Sequence, residues 1–114
     1  MWWQCLLDAK RCLRCDVATV FAFSFRLTTF VGKLIDAYSG LPHEPSTCGY
    51  GCSDHASWEA INVASSFPFE CKFGNHNPAI HTANDDTSRI SAARCNEFAK
   101  LGIGYVVEMG LTDK

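Results

Sequence analysis

The chain has 114 residues, 47% of them apolar, and its ten Lys and Arg against twelve Asp and Glu leave a net charge of −2. That length holds one small domain with a modest core. Near-neutral charge gives no electrostatic basis for nucleic acid or an anionic membrane as partner, and the longest apolar run, residues 17–25 (VATVFAFSF), is far short of the ~20 residues of a bilayer span.

Residues 1–16 (MWWQCLLDAKRCLRCD) show no clear period. Lys10, Arg11 and Arg14 precede the apolar run as the basic part of a signal peptide would. The run is short, however, and no small-x-small cleavage site follows Phe25, so no signal peptide is read here. Residues 17–25, β-branched and aromatic, predict a buried strand. Next, Leu27, Phe30, Val31, Leu34, Ile35 and Tyr38 recur at helical spacing and put one apolar stripe on one face, and Ser39-Gly40 followed by Pro42 ends that helix.

Residues 40–52, with Pro42, Pro45, Gly49 and Gly51, read as loop. Ser53 is the expected N-cap of a short helix carrying Trp58 and Ile61, with Asp54 in its first turn. Residues 63–69 (VASSFPF) predict a second strand, which Pro68 confines to an edge or an end. A long polar loop spans 73–86. The last helix is expected from about Ser88 to Met109 with Phe98, Leu101, Tyr105, Val106 and Met109 on its packed side, locally weakened by Gly102 and Gly104. Strands separated by helices favour an α/β fold with parallel pairing. Two strands are too few for an independent sheet, so the expectation is a part of something larger.

Seven cysteines suggest either an oxidising compartment or metal binding, and the odd number leaves one thiol free if the rest pair within the chain. Cys48 and Cys52 can close a small disulfide ring, or present two thiolates that Cys12 and Cys15 would complete to a four-thiolate structural zinc site. That second reading requires two pairs 32 residues apart to converge across a strand and a helix. Ser53-Asp54-His55 is not a triad, because neighbouring side chains at a helix start diverge. On a loop stiffened by Pro78, His81 has the setting of a metal ligand, and Asp85 and Asp86 read as ligands or, more ordinarily, as caps. His43 and His76 carry no distinguishing context. Phe67, Phe69, Phe73 and Ile80 sit on irregular chain, where they either fold under the loop or line a pocket.

The stretches CGYGCSDHASW (48–58), FPFECKF (67–73) and NPAIHTANDD (77–86), in that order and spacing, resemble the zinc aminopeptidases of metallopeptidase family 28, closest to the secreted bacterial and fungal leucyl type. The resemblance runs from Leu27 to Gly110. It divides the chain into a divergent segment (1–26), the C-terminal part of a peptidase domain (27–110) and a tail (111–114). It implies an α/β, doubly wound sheet, here only partial, and hydrolysis of an N-terminal residue from a peptide by two zinc ions that activate a bridging water. By the same resemblance His81 is a zinc ligand and Cys48–Cys52 a disulfide. Tyr50 faces the substrate carbonyl, while Cys52, Phe67, Phe69, Phe73 and Ile80 line the pocket for an apolar side chain. The backbone of Ser53 stands behind the histidine ligand, outside direct contact with the metal.

Three differences from that pattern stand out. His76 takes a place where such relatives often carry an aromatic, Asp86 extends a one-Asp pattern, and Cys71 and Cys95 have no counterpart, their pairing open. The family draws its other ligands and its general-base glutamate from upstream, yet residues 1–26 contain no His and no Glu. A zinc pair needs more than His81 supplies. The expectation is therefore a C-terminal fragment of an extracellular peptidase, inactive alone, that self-associates through exposed sheet and helix faces. Alternatives are a non-catalytic module binding apolar N-terminal residues and a small structural zinc protein.

Overall fold

The computed structural model describes residues 18–22 and 24–111. The expected first strand is present as β1, Ala18–Ala22, and it lies at the centre of a three-stranded sheet ordered β2-β1-β3. The strand stops at Ala22, short of the expected Phe25, because Ser24 caps α1, Phe25–Leu34, with extended backbone and its hydroxyl accepting from the Leu27 N–H at 3.5 Å. The predicted stripe then extends through a wider π-type turn, Ile35–Ser39, and stops at Gly40, whose φ of +63° is the left-handed closure that glycine supplies without strain. Ser39 seals the end by donating to the Ile35 carbonyl at 2.9 Å and accepting from the Leu41 N–H at 3.2 Å.

Residues 40–52 are not all loop. His43–Ser46 form β2, parallel to β1 with Ala18 opposite His43 and Phe21 opposite Ser46. The signal was hidden because the strand is four polar or proline residues at a sheet edge, with no apolar alternation. β3, Ser66–Phe69, pairs antiparallel to β1, so the sheet is mixed rather than parallel throughout. It is an edge strand, as Pro68 requires. Pro45 and Pro68 both lie opposite Val20, one on each side. A proline in each outer strand withholds an N–H there and discourages further pairing.

The short helix α2 covers His55–Glu59. Ser53 is not its side-chain cap: Asp54 holds the cap position without a side-chain hydrogen bond, and Ser53 contributes its carbonyl to the Ala56 N–H at 3.1 Å. Asn62, at φ +61°, closes the far end, with Val63 N–H on the Trp58 carbonyl and Asn62 N–H on the Glu59 carbonyl. Trp58 and Ile61 are exposed.

A single 3-10 turn, Thr87–Arg89, is followed by α3, Ala92–Leu111. Ser91 starts α3, its hydroxyl accepting from the Arg94 N–H at 3.4 Å and its carbonyl from the Cys95 N–H at 3.0 Å. Val31, Leu34 and Ile35 of the α1 stripe bury against Leu101, with Leu27, Phe30, Phe98 and Tyr105 packed around them. Gly104 is where that packing is closest: a Cβ there would lie 2.7 Å from the Tyr38 ring. This contact explains a glycine inside a continuous helix. Val106 and Met109, expected on the packed side, are exposed, because α3 turns its 98–101–105 face to the core and ends with Glu108 accepting from the Tyr38 hydroxyl at 2.5 Å.

Candidate functional site

The chemistry-bearing residues gather between β2 and α3, on loops and on the short elements α2 and β3. Cys48 and Cys52 are joined as a disulfide, and the Cys52 N–H donates to the Tyr50 carbonyl at 2.8 Å, so residues 48–52 form a tight turn with Gly49 at φ +75°. While that bond stands, a four-thiolate zinc site using these two sulphurs is excluded. Its other two members, Cys12 and Cys15, lie outside the described residues. Cys71 and Cys95 are not paired with each other; both are free thiols. Burial, chiefly, pushes the Cys71 thiol up to about 12, with Glu70 adding to the rise, so it is inert as a nucleophile.

Tyr50 tops the turn and is 62% exposed. Its ring stands edge-on to Phe73, with centroids 6.0 Å apart. From there a continuous run of rings crosses the site: Phe73 to His76 at 5.4 Å, His76 to Phe69 at 5.9 Å, Phe69 to Phe67 at 5.4 Å, and Phe67 to His55 at 5.1 Å, the last pair nearly parallel. Offset and edge-on contacts of this kind add to the area the rings bury. Phe69 and Cys71 form the buried floor, with Cys48, Phe67 and Phe73 packed on it. Ile80 is half-buried on the 77–80 turn and is not among the residues of that floor.

Two histidines belong to this wall: His76, which the resemblance puts in an aromatic's place, and His55, which no motif of the sequence marks. His76 occupies an aromatic's place between Phe69 and Phe73. Its Nδ1 accepts from the Gly74 N–H at 3.3 Å, which puts the proton of the neutral ring on Nε2. His55 is 6% exposed and lies flat on Phe67, its carbonyl held by the Ser65 hydroxyl at 2.8 Å. Burial holds the His55 imidazole below its ordinary value of 6.5, against the upward pull of Glu59 and Asp54. No period or spacing marks a lone histidine as a ring in an aromatic stack.

His81 projects from a loop built around Asn77. The Asn77 side chain is buried: its Oδ1 accepts from Ala79 N–H at 2.9 Å and from Arg89 Nη1 at 3.4 Å, and its Nδ2 donates to Asp85 at 3.3 Å. Arg89 also reaches the Asn84 carbonyl at 2.8 Å, and Thr82 reaches the Ala79 carbonyl at 2.7 Å. On this brace His81 is exposed and holds a left-handed φ of +64°, a conformation uncommon for a side-chain-bearing residue and one that often marks a functional position. Asp86 is a cap, not a ligand. It accepts from the Ser88 hydroxyl at 2.5 Å and the Ser88 N–H at 2.9 Å, and these bonds pull its carboxyl below the usual range.

Metal fit follows from the donor sets. Among the described residues, the one group of three or more His, Cys, Asp or Glu donors close enough to share an ion is Cys48, Cys52 and His55, within 4.8 Å of one another. His81 is not in it. The described residues therefore do not fit a pair of zinc ions, which would need several carboxylate and histidine donors around His81. A separate open cleft between the π-type turn and α3, lined by Tyr38, Leu41, Arg94, Glu97 and Lys100, shares no residue with the aromatic wall. Its acid and base, Glu97 and Lys100, are joined to each other as an ion pair at 2.8 Å, so the wall is the stronger candidate.

No family model matches the chain. Among curated proteins it is similar to a probable leucine aminopeptidase of Arthroderma otae, 38% identical over 87 residues, covering 76% of this chain and 24% of that protein. It is also similar to leucine aminopeptidase 1 of Fusarium vanettenii, 37% identical over 87 residues, covering 76% and 22%. Two aminopeptidases of Legionella pneumophila are similar in structure. LapA has a TM-score of 0.77 at 38% identity, over 82% of this chain and 26% of its own. LapB has a TM-score of 0.85 at 28% identity, over 95% and 30%. The chain thus spans about a quarter of the length of the curated leucine aminopeptidases it resembles.

Proposed function

We propose that this chain carries the pocket wall and one metal ligand of a zinc aminopeptidase of metallopeptidase family 28, of the secreted leucyl type, within the doubly wound fold of that family. The observation that carries the reading is the disulfide turn that sets Tyr50 at the end of the ring wall Phe73–His76–Phe69–Phe67, in a chain similar to leucine aminopeptidases. In this reading Phe67, Phe69 and Phe73, with Cys52 and Ile80, receive an apolar N-terminal side chain by burial. Tyr50 stands near the scissile carbonyl. His81 donates to a zinc ion whose other ligands lie outside the described residues, and the Ser53 backbone backs that histidine. Zinc, when bound, would polarise the carbonyl and activate water; the residues here bind, orient and dry the substrate side chain.

Among the described residues the exposed His81 belongs to no group of three or more metal donors, which supports inactivity of these residues on their own. Purified chain, oxidised and supplied with zinc, is expected to leave a leucine anilide intact. It should nonetheless bind leucine amide, read as shifts of the His76 and His55 ring-proton resonances that disappear in Phe69→Ala. Turnover lost in His81→Ala would overturn the inactivity reading. Ring resonances unmoved by apolar amino-acid amides would overturn the pocket reading. Self-association is part of the same proposal, supported by Ile103, Val106 and Val107 standing exposed along α3. Sedimentation should show oligomers that Val106→Glu shifts toward monomer; a monomer without the substitution contradicts it.

A further inference from the structure

We infer that residues 48–55 form a second, redox-gated site: once the Cys48–Cys52 bond is reduced, the two thiolates and the His55 imidazole bind one zinc ion. The inference is independent of the peptidase reading, which concerns His81 and the oxidised turn. Its basis is the convergence of the three donors within 4.8 Å. In a tetrahedral site with Zn–S about 2.3 Å and Zn–N about 2.0–2.1 Å, neighbouring donors lie roughly 3.5–3.8 Å apart. Cleaving the disulfide lets the sulphurs part to that spacing, and only a small approach of the ring is then needed.

The histidine is held in place for this. Its backbone is tied to Ser65 at 2.8 Å, and its ring is stacked on Phe67 with an interplanar angle of 10°, so little freedom remains to be lost on binding. Cys48 lies against the apolar floor of Phe69 and Cys71, which shields one side of the site from water and strengthens a thiolate–cation interaction. The opposite side, Gly49 to Gly51, is exposed, so water completes the fourth position. Three protein ligands with one open position is an ordinary zinc arrangement.

The electrons come from a thiol reductant of the glutathione class. Two reductant thiols form one disulfide, the Cys48–Cys52 bond breaks, and each sulphur takes up one proton. Zinc binding then releases those two protons as both thiols coordinate. Oxidation by a disulfide of the same class reverses the sequence and ejects the ion.

The test uses the full chain reduced by a phosphine, with Co²⁺ as the spectroscopic probe and Zn²⁺ as competitor. One equivalent of Co²⁺ should give thiolate charge-transfer absorption that Zn²⁺ removes, and the oxidised chain should give none. The band should vanish in Cys48→Ser, weaken by at least roughly tenfold in affinity in His55→Gln, and persist in the Cys12→Ser/Cys15→Ser double variant. On the unmutated chain, Zn²⁺ should slow alkylation of Cys48 and Cys52, mapped by peptide mass, which keeps the test independent of how the variants fold. A band that survives Cys48→Ser, that is unchanged in His55→Gln or that is lost in the Cys12/Cys15 variant overturns the inference, as does alkylation that Zn²⁺ leaves unslowed.

Discussion

In the α1–α3 core, Val31, Leu34, Ile35 and Leu101 are buried by aliphatic contact between α3 and α1 with its π-type turn, whereas the wall from Tyr50 to His55 is assembled from two loops, the short helix α2 and the edge strand β3. The wall is kept in shape by one disulfide, by ring contacts and by the hydrogen bonds of Asn77. The core is a matter of spacing along one face, and the wall a matter of separate pieces, Tyr50 with Phe73 and His55 with Phe67, meeting in space. That difference decides how each region responds to change: the core should fail as a whole and the wall piecewise.

The largest effect should come from the core. Ile35 is fully buried, and Ile35→Ala is expected to cost about 2–5 kcal/mol, read as a drop in the midpoint of urea unfolding with little change in slope. A loss below about 1 kcal/mol would mean that the helix pair is not what holds the chain. Asn77→Ala should cost less, roughly 1–3 kcal/mol, because it leaves buried partners unmatched. Its signature is local: faster amide hydrogen exchange across residues 77–89, with α1 and Leu101 unchanged. Equal acceleration in the core would erase the distinction between the two regions.

Two glycines of α3 sharpen the core side. Gly104→Ala drives a Cβ to 2.7 Å from the Tyr38 ring and should destabilise by about 1–3 kcal/mol. Gly102→Ala meets nothing within 4 Å and should stabilise by up to about 1 kcal/mol from helix propensity alone. Effects of the same sign at both positions would show that α3 does not pack on Tyr38 as described.

The smallest effect concerns pH and belongs to the wall. Because burial lowers the folded-state pKa of His55, the unfolded chain binds more protons in the interval below 6.5. This contribution is fully present above the unfolded value of 6.5 and is lost as pH falls through the folded value. His55→Gln should flatten the fall in stability from pH 7 to 5; an unchanged slope would place the ring in solvent.

The same contrast explains what the sequence discloses. The α1 stripe from Leu27 to Tyr38 and the stop at Gly40 are legible because local spacing alone specifies them. The edge position of β3 is legible because Pro68 has no N–H to give. β2 was hidden by its polar, proline-bearing residues, whose pairing depends on β1 rather than on their own pattern. Val106 and Met109 misled because helical spacing says which residues share a face, not how far along the helix its neighbour reaches. At the site, the aromatic residues and the cysteine turn are visible as residues. His55 as a member of the ring wall, and Asn77 as the brace behind His81, depend on contacts no linear pattern encodes.

The described residues are proposed to supply a pocket wall and His81 without a complete pair of zinc sites. Zinc stoichiometry of the oxidised chain by native mass spectrometry, with leucine-anilide turnover followed in the same sample, tests it most directly. No tightly held zinc pair and no turnover are expected. Two zinc ions bound per chain, with hydrolysis abolished by His81→Ala, would contradict it.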